Sequence, residues 1–216
     1  MSVERSTIPA AEALARLKEG NGRYVKNVRS VDSMLSHSRR DDQAPQQPIA
    51  IVLGCSDSRA PAEIVFDQGL GDLFVIRVAG NIVAPSQIGS VEFAAERFGT
   101  RLVVVLGHSN CGAVEATLNQ LQRPRENQSR NLRAIVDLVR PSVENLLATE
   151  LRHDRPALVH EAVRANIRAS VMHLRHGSQI IESLIQDDGL MIVGAEYSLD
   201  TGEVDFFDGV PEGIDS

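Results

Sequence analysis

Apolar residues come in short unbroken blocks along this chain. Ile49-Ala50-Ile51-Val52-Leu53, Leu73-Phe74-Val75-Ile76 and Leu102-Val103-Val104-Val105-Leu106 are rich in β-branched residues and show no polar alternation. A strand with water on one face alternates with period two, so an unbroken run predicts a strand covered on both faces. Leu190-Met191-Ile192-Val193-Gly194-Ala195 has the same character, and Asp200-Thr201-Gly202 offers a turn into a last short strand at Val204-Phe207. Helical stretches at Ala62-Phe66 and Ser90-Phe98 fall near or between the first three blocks, and another helix begins near Ala113. The alternation βαβαβ predicts a mainly parallel central sheet flanked by helices, joined by right-handed crossovers. Two longer helices are expected at Asn131-Glu150, interrupted near Pro141, and at Arg155-Arg175.

The amino-terminal part reads differently. Pro9 suits a first helical turn, Ala11, Leu14 and Leu17 share a face, and Gly20-Asn21 is expected to close the helix before Arg23. Residues 28–48 are polar and hold Pro45 and Pro48, which predicts a linker into the first strand; Arg123-Arg133 is read as a solvated loop. The expected architecture is a single α/β domain over 1–216, with a helical arm at 1–30 and an α/β core at 45–207.

With 216 residues, 43% of them hydrophobic, the chain can bury one sizeable core. Its net charge of -7 argues against nucleic-acid binding, which needs a basic surface to displace counterions. No apolar run reaches the roughly 18 residues that a membrane span needs, and Met1-Ser2-Val3-Glu4-Arg5 lacks the apolar stretch of a secretory signal. Two cysteines make no disulfide framework. A cytoplasmic protein with no membrane or nucleic-acid partner is the expectation.

Those two cysteines carry the chemistry. Cys55 follows the first strand directly, and His108-Ser109-Asn110-Cys111 follows the third, so all three groups leave the carboxyl ends of strands, the edge where open α/β sheets place their ligands. Two thiolates and an imidazole are typical zinc ligands, and three protein ligands leave a fourth position for water or substrate. A lone His-x-x-Cys is more often a turn histidine beside a structural cysteine; Cys55 at an equivalent strand end moves the balance to metal. Cys111 is expected at a helix amino end, whose unpaired amides favour a thiolate. Asp57 and Arg59 can pair, which would keep the carboxylate ionised and orient it beside the metal, although a surface Asp-x-Arg pair is usually worth little. Two thiolates cancel the charge of one Zn2+, so this site should acidify water less than a three-histidine site and favour alkaline conditions.

Cys55-Ser56-Asp57-Ser58-Arg59 and Gly107-His108-Ser109-Asn110-Cys111-Gly112 resemble the two signature segments of β-class carbonic anhydrases. The resemblance runs through Asp67-Gln68-Gly69-Leu70-Gly71-Asp72-Leu73-Phe74-Val75-Ile76-Arg77, Ala79-Gly80-Asn81 and Ser90-Val91-Glu92-Phe93, and covers roughly residues 45–207. It implies one zinc per chain on Cys55, His108 and Cys111, an Asp57-Arg59 dyad, and reversible hydration of carbon dioxide to bicarbonate and a proton. It implies a dimer, often paired into tetramers, with the amino-terminal arm laid on the neighbour. Gln46, Phe74, Phe93 and Gly112 fall at the family's substrate-pocket positions, where many members carry tyrosine in place of Phe93. In some members the dyad aspartate swings onto the metal as an alternate fourth ligand, with bicarbonate held nearby by tryptophan, arginine and tyrosine. Arg77 and Tyr197 match two of those positions, Val52 replaces the tryptophan, and Gly54 leans toward the switching type, closed at low pH.

Two rivals stand beside that implication. One is a non-catalytic protein with a closed structural zinc on Cys55, His108, Cys111 and Asp57, against which Arg59 argues as a competitor for the carboxylate. The other is a zinc hydrolase of carbonyl sulfide or carbon disulfide. His37, His153, His160, His173 and His176 have no ligand spacing with a cysteine and read as surface or helix residues.

Overall fold

A computed structural model describes residues 8–28, 30, 46–123 and 129–211. The chain runs α1 (Ala10–Val25), β1 (Ala50–Gly54), α2 (Ala62–Val65), β2 (Leu73–Arg77), α3 (Pro85–Arg97), β3 (Leu102–His108), α4 (Gly112–Gln122), α5 (Arg130–Val143), α6 (Arg155–His176), α7 (Gln179–Asp187), β4 (Met191–Tyr197) and β5 (Val204–Asp208). The strands form one sheet in the order β2-β1-β3-β4-β5. The first four pair in parallel, and β5 returns antiparallel on β4. Among the described residues no helix is long and apolar enough to cross a membrane.

The unbroken apolar runs follow from two covered faces. Ile51, Leu53, Val103, Val105 and Ile192 point into a layer built with Val91 and Ala94 of α3, Val114 and Leu118 of α4, and Leu158, Ile167, Val171 and Leu174 of α6. Their neighbours Ala50, Val52, Leu102, Val104 and Val193 point the other way, onto Ala13, Leu14 and Leu17 of α1 and Val65 and Phe66 around α2. Alternate side chains of one strand thus meet different helices, and both sets must be apolar.

Several boundaries differ from the sequence expectation. α1 does not close at Gly20-Asn21 but runs to Val25. Gly20 is there for contact: a Cβ on it would lie 1.8 Å from the carbonyl oxygen of Phe66. Asn21 is buried and sends Nδ2 to the carbonyls of Val65 and Gly202 while Oδ1 accepts from Val204 N, tying the helix to two loops. α1 is seated on the sheet through Ala13, Leu14 and Leu17. α3 starts at Pro85 rather than Ser90, since proline is pre-set for a first turn. α5 already includes Arg130-Arg133, capped by Ser129, and ends at Val143, soon after Pro141, whose missing N–H weakens the last turn; tighter 3₁₀ segments Glu144–Ala148 and Glu150–His153 follow. α7, absent from the sequence reading, is capped by the Ser178 hydroxyl and buries Ile181. Most of the expected linker at 28–48, the arm's first residues, His37 and part of the 123–133 stretch lie outside the described residues.

Candidate metal centre

β1 and β3 are adjacent, with Gly54 paired to Leu106, so the segments after each strand emerge side by side. Cys55 follows Gly54, His108 ends β3, and Cys111 is the residue before α4. A left-handed turn at Asn110 (φ 54°) brings Cys111 back toward His108. Ser109 fixes this loop to the end of β4: its N–H donates to the Tyr197 carbonyl at 2.9 Å and its hydroxyl accepts from Leu199 N at 3.0 Å.

The result is a buried cluster in which Cys55 Sγ, His108 nitrogen and Cys111 Sγ all lie within 4.8 Å of one another. The two sulfurs are 4.0 Å apart and both cysteines are free. Two thiolates sharing a tetrahedral zinc at about 2.3 Å each would sit about 3.8 Å apart, so the spacing fits that ion. His108 Nδ1 lies 2.9 Å from the Ser109 carbonyl, which assigns it the ring proton, and Nε2 is buried without a hydrogen-bond partner. A buried orphan lone pair beside two sulfurs is what a metal-accepting imidazole presents. Hydrogen bonding with Cys111 draws the Cys55 thiol down to about 3 despite its burial, and the same contact pushes Cys111 up. A metal takes both sulfurs as thiolates, so its binding would release the protons that they carry.

Asp57 stands at the rim, its Oδ2 3.9 Å from His108 Nε2. Arg59 grips it with a two-pronged fork, Nε to Oδ1 at 3.0 Å and Nη2 to Oδ2 at 2.8 Å, and adds its backbone N–H to Oδ1 at 2.9 Å. These bonds hold the Asp57 carboxyl well below the usual carboxylate range. Arg77 supplies a support that sequence reasoning missed: Nε donates to the Cys55 carbonyl at 3.0 Å and Nη2 to the Asp57 carbonyl at 2.6 Å. One guanidinium therefore clamps the segment that carries both the first sulfur and the carboxylate. Gly80 N–H, also missed, donates to Cys55 Sγ at 3.4 Å; the Ala79-Gly80-Asn81 tripeptide was the available signal.

Phe74 and Phe93 have ring centres 6.2 Å apart and both lie against Phe98, Phe93 edge-on, a third ring the sequence reading did not single out. Phe93 is 53% exposed, and Gln46 and Gly112 are exposed as well. Val52 and Tyr197 lie together in the layer under α1; Val52 is fully buried, and the Tyr197 hydroxyl is already bonded to that of Tyr24 at 3.1 Å. Arg77 sits further along that face of the sheet and is engaged as described. His153, His160, His173 and His176 are exposed, away from the Cys-His-Cys cluster.

Comparison with known proteins agrees with this arrangement. Residues 50–204 match the family model described as carbonic anhydrase. The chain is 40% identical over 197 residues to carbonic anhydrase 2 of Mycobacterium tuberculosis, covering 91% of this chain and 92% of that one. It is 39% identical over 189 residues to a carbonic anhydrase of Mycolicibacterium smegmatis, covering 88% and 89%. The β-carbonic anhydrase CafA of Aspergillus fumigatus superposes with a TM-score of 0.70 at 26% identity, covering 94% of this chain and 92% of that one. With the parallel sheet, the buried Cys-His-Cys cluster and relatives at this identity over nearly the whole length, the chain belongs to the β class of the carbonic anhydrase family.

Proposed function

We propose that this enzyme, a lyase by its family, binds one zinc ion on Cys55, His108 and Cys111 and interconverts carbon dioxide and water with bicarbonate and a proton. The observation that carries this reading is the buried donor set with an orphan His108 Nε2 beside a carboxylate held by arginine. When bound, zinc supplies a Lewis acid that makes water a nucleophile at ordinary pH.

The chain's own residues do the rest. Asp57 is a permanent acceptor because Arg59 keeps it ionised, so it orients a hydroxyl in the site rather than storing the proton, which leaves to solvent. By occupying both carboxylate oxygens, Arg59 also keeps Asp57 from filling the open coordination position. This favours an open site over a closed structural one, and an Arg59-released Asp57 is the switched form expected at low pH. Arg77 fixes the loop, so that carboxylate and sulfur keep one mutual geometry. Phe74 and Phe93 offer an apolar wall suited to an uncharged linear substrate. Two free thiols 4.0 Å apart need a reducing compartment to stay free, which supports a cytoplasmic site of action.

The deciding experiment is zinc stoichiometry with stopped-flow carbon dioxide hydration at mildly alkaline pH. One zinc per chain and rapid hydration are expected; a metal-free or inactive wild-type chain overturns the reading. Hydrolysis of carbonyl sulfide or carbon disulfide with no hydration of carbon dioxide would transfer the site to the rival substrate.

A further inference from the structure

Two side chains of α6 reach the turn Ala79–Asn81 that lies against Cys55. Asn166 and Ser170 lie four residues apart on one face of the helix and are only 2% and 5% exposed. Buried polar groups are costly unless bonded. Asn166 Nδ2 donates to the Gly80 carbonyl at 2.8 Å, and Ser170 Oγ donates to the Asn81 carbonyl at 3.0 Å. Both acceptors belong to the turn Ala79–Asn81, which is left-handed at two successive residues, Gly80 (φ 73°) and Asn81 (φ 44°). Such a conformation persists only where the surroundings impose it. The buried Nδ2 of Asn81 bonds to nothing among the described residues, so it does not hold the turn itself. The amide that this turn presents is Gly80 N–H, directed at Cys55 Sγ at 3.4 Å. Space is tight there as well: a Cβ on Gly80 would lie 3.0 Å from that of Ala113 on α4.

We infer that Asn166 and Ser170 are positioning residues of the metal centre: by holding the Ala79–Asn81 turn they aim the Gly80 amide at the Cys55 sulfur, fixing its direction and limiting how much charge it gives a bound metal. The inference rests on the proposed metal site. An N–H donor withdraws electron density from a thiolate, so the metal stays more acidic than two unassisted thiolates would leave it. Groups that orient metal ligands from outside in this way typically change metal affinity by roughly 10- to 100-fold when removed.

The test uses the full chain loaded with cobalt(II), whose thiolate-to-metal charge-transfer band reports the donor strength of sulfur. Asn166→Asp keeps the shape of the side chain but loses the donor, and Ser170→Ala loses the hydroxyl. Val171→Ala removes buried volume from the same helix on its side toward Gly194. The first two should move the band to lower energy and weaken zinc in a chelator competition by tenfold or more. Val171→Ala should lower Tm while leaving band and affinity as in the wild type. If Asn166→Asp does not fold, Ser170→Ala decides alone. An unmoved band and wild-type affinity in the folded variants, or equal shifts in Val171→Ala, overturn the role of α6. A wild-type chain with no thiolate-to-cobalt band, or one whose band is undiminished in Cys111→Ser, overturns the metal reading itself.

Discussion

Asp57 and Arg59 show how place sets what a surface ion pair can do. The fork between them would be worth little on an open surface, and Arg59 is itself largely exposed. What changes its meaning is the 3.9 Å from Asp57 Oδ2 to His108 Nε2. Arg59→Ala should therefore keep the zinc yet lower turnover by roughly 10- to 100-fold, the range for losing an orienting partner. Hydration rates at constant zinc content measure this, and wild-type turnover would remove Arg59 from the site's function. Cys111→Ser tests the donor set: a hard alcohol replaces a soft thiolate beside Cys55, so most zinc and activity should be lost together. Full zinc occupancy in that variant would mean the ion sits elsewhere.

Among the elements, α1 depends most on single close contacts. Gly20→Ala would drive a methyl into the Phe66 carbonyl, and overpacking of this kind destabilises by about 1–3 kcal/mol. Thermal unfolding should show a lower Tm for Gly20→Ala and little change for Gly22→Ala, where nothing lies within 4 Å. The same helix carries Tyr24, whose hydroxyl meets that of Tyr197 at the end of β4. Burial and then this contact raise Tyr197 above its ordinary value near 10. A group whose folded pKa is raised stabilises fully below its unfolded pKa, and that stability is lost as pH rises through the folded value. Unfolding free energy should thus fall above about pH 10. Tyr24→Phe should flatten that fall, and tyrosinate absorbance should show Tyr197 ionising later than free tyrosine.

At the scale of the molecule, the rings of Phe74, Phe93 and Phe98 form a partly exposed apolar surface beside the proposed pocket. Covering apolar area at about 25 cal/mol per Å² favours association once orientation costs are met. We expect the active unit to be at least a dimer joined across this surface. Phe93→Asp places a charge on a side chain already 53% exposed, so the protomer should still fold. Light scattering should report a dimer or larger for the wild type, and a smaller, less active species for Phe93→Asp. A wild-type monomer at full specific activity would contradict this.

The sequence by itself determined the strands, the Cys-His-Cys group and the Asp57–Arg59 pair, because each is written locally. A strand between two helical layers must be apolar at every position, and Cys55, His108 and Cys111 stand in segments that end such strands. Asp57 and Arg59 are two residues apart, within reach whatever the rest of the chain does. Tertiary structure alone decided that β1 lies against β3, which brings together sulfurs 56 positions apart. It decided that α1 continues through Gly20 and Asn21, residues that end helices by propensity but serve here as a close contact and a buried hydrogen-bonding hub. It also set Arg77 on two loop carbonyls and Asn166 and Ser170 on the turn behind Cys55. Such partners are backbone groups far away in the chain. Every residue presents the same amide, so no side-chain pattern marks which one will be met, and only the packed fold selects it.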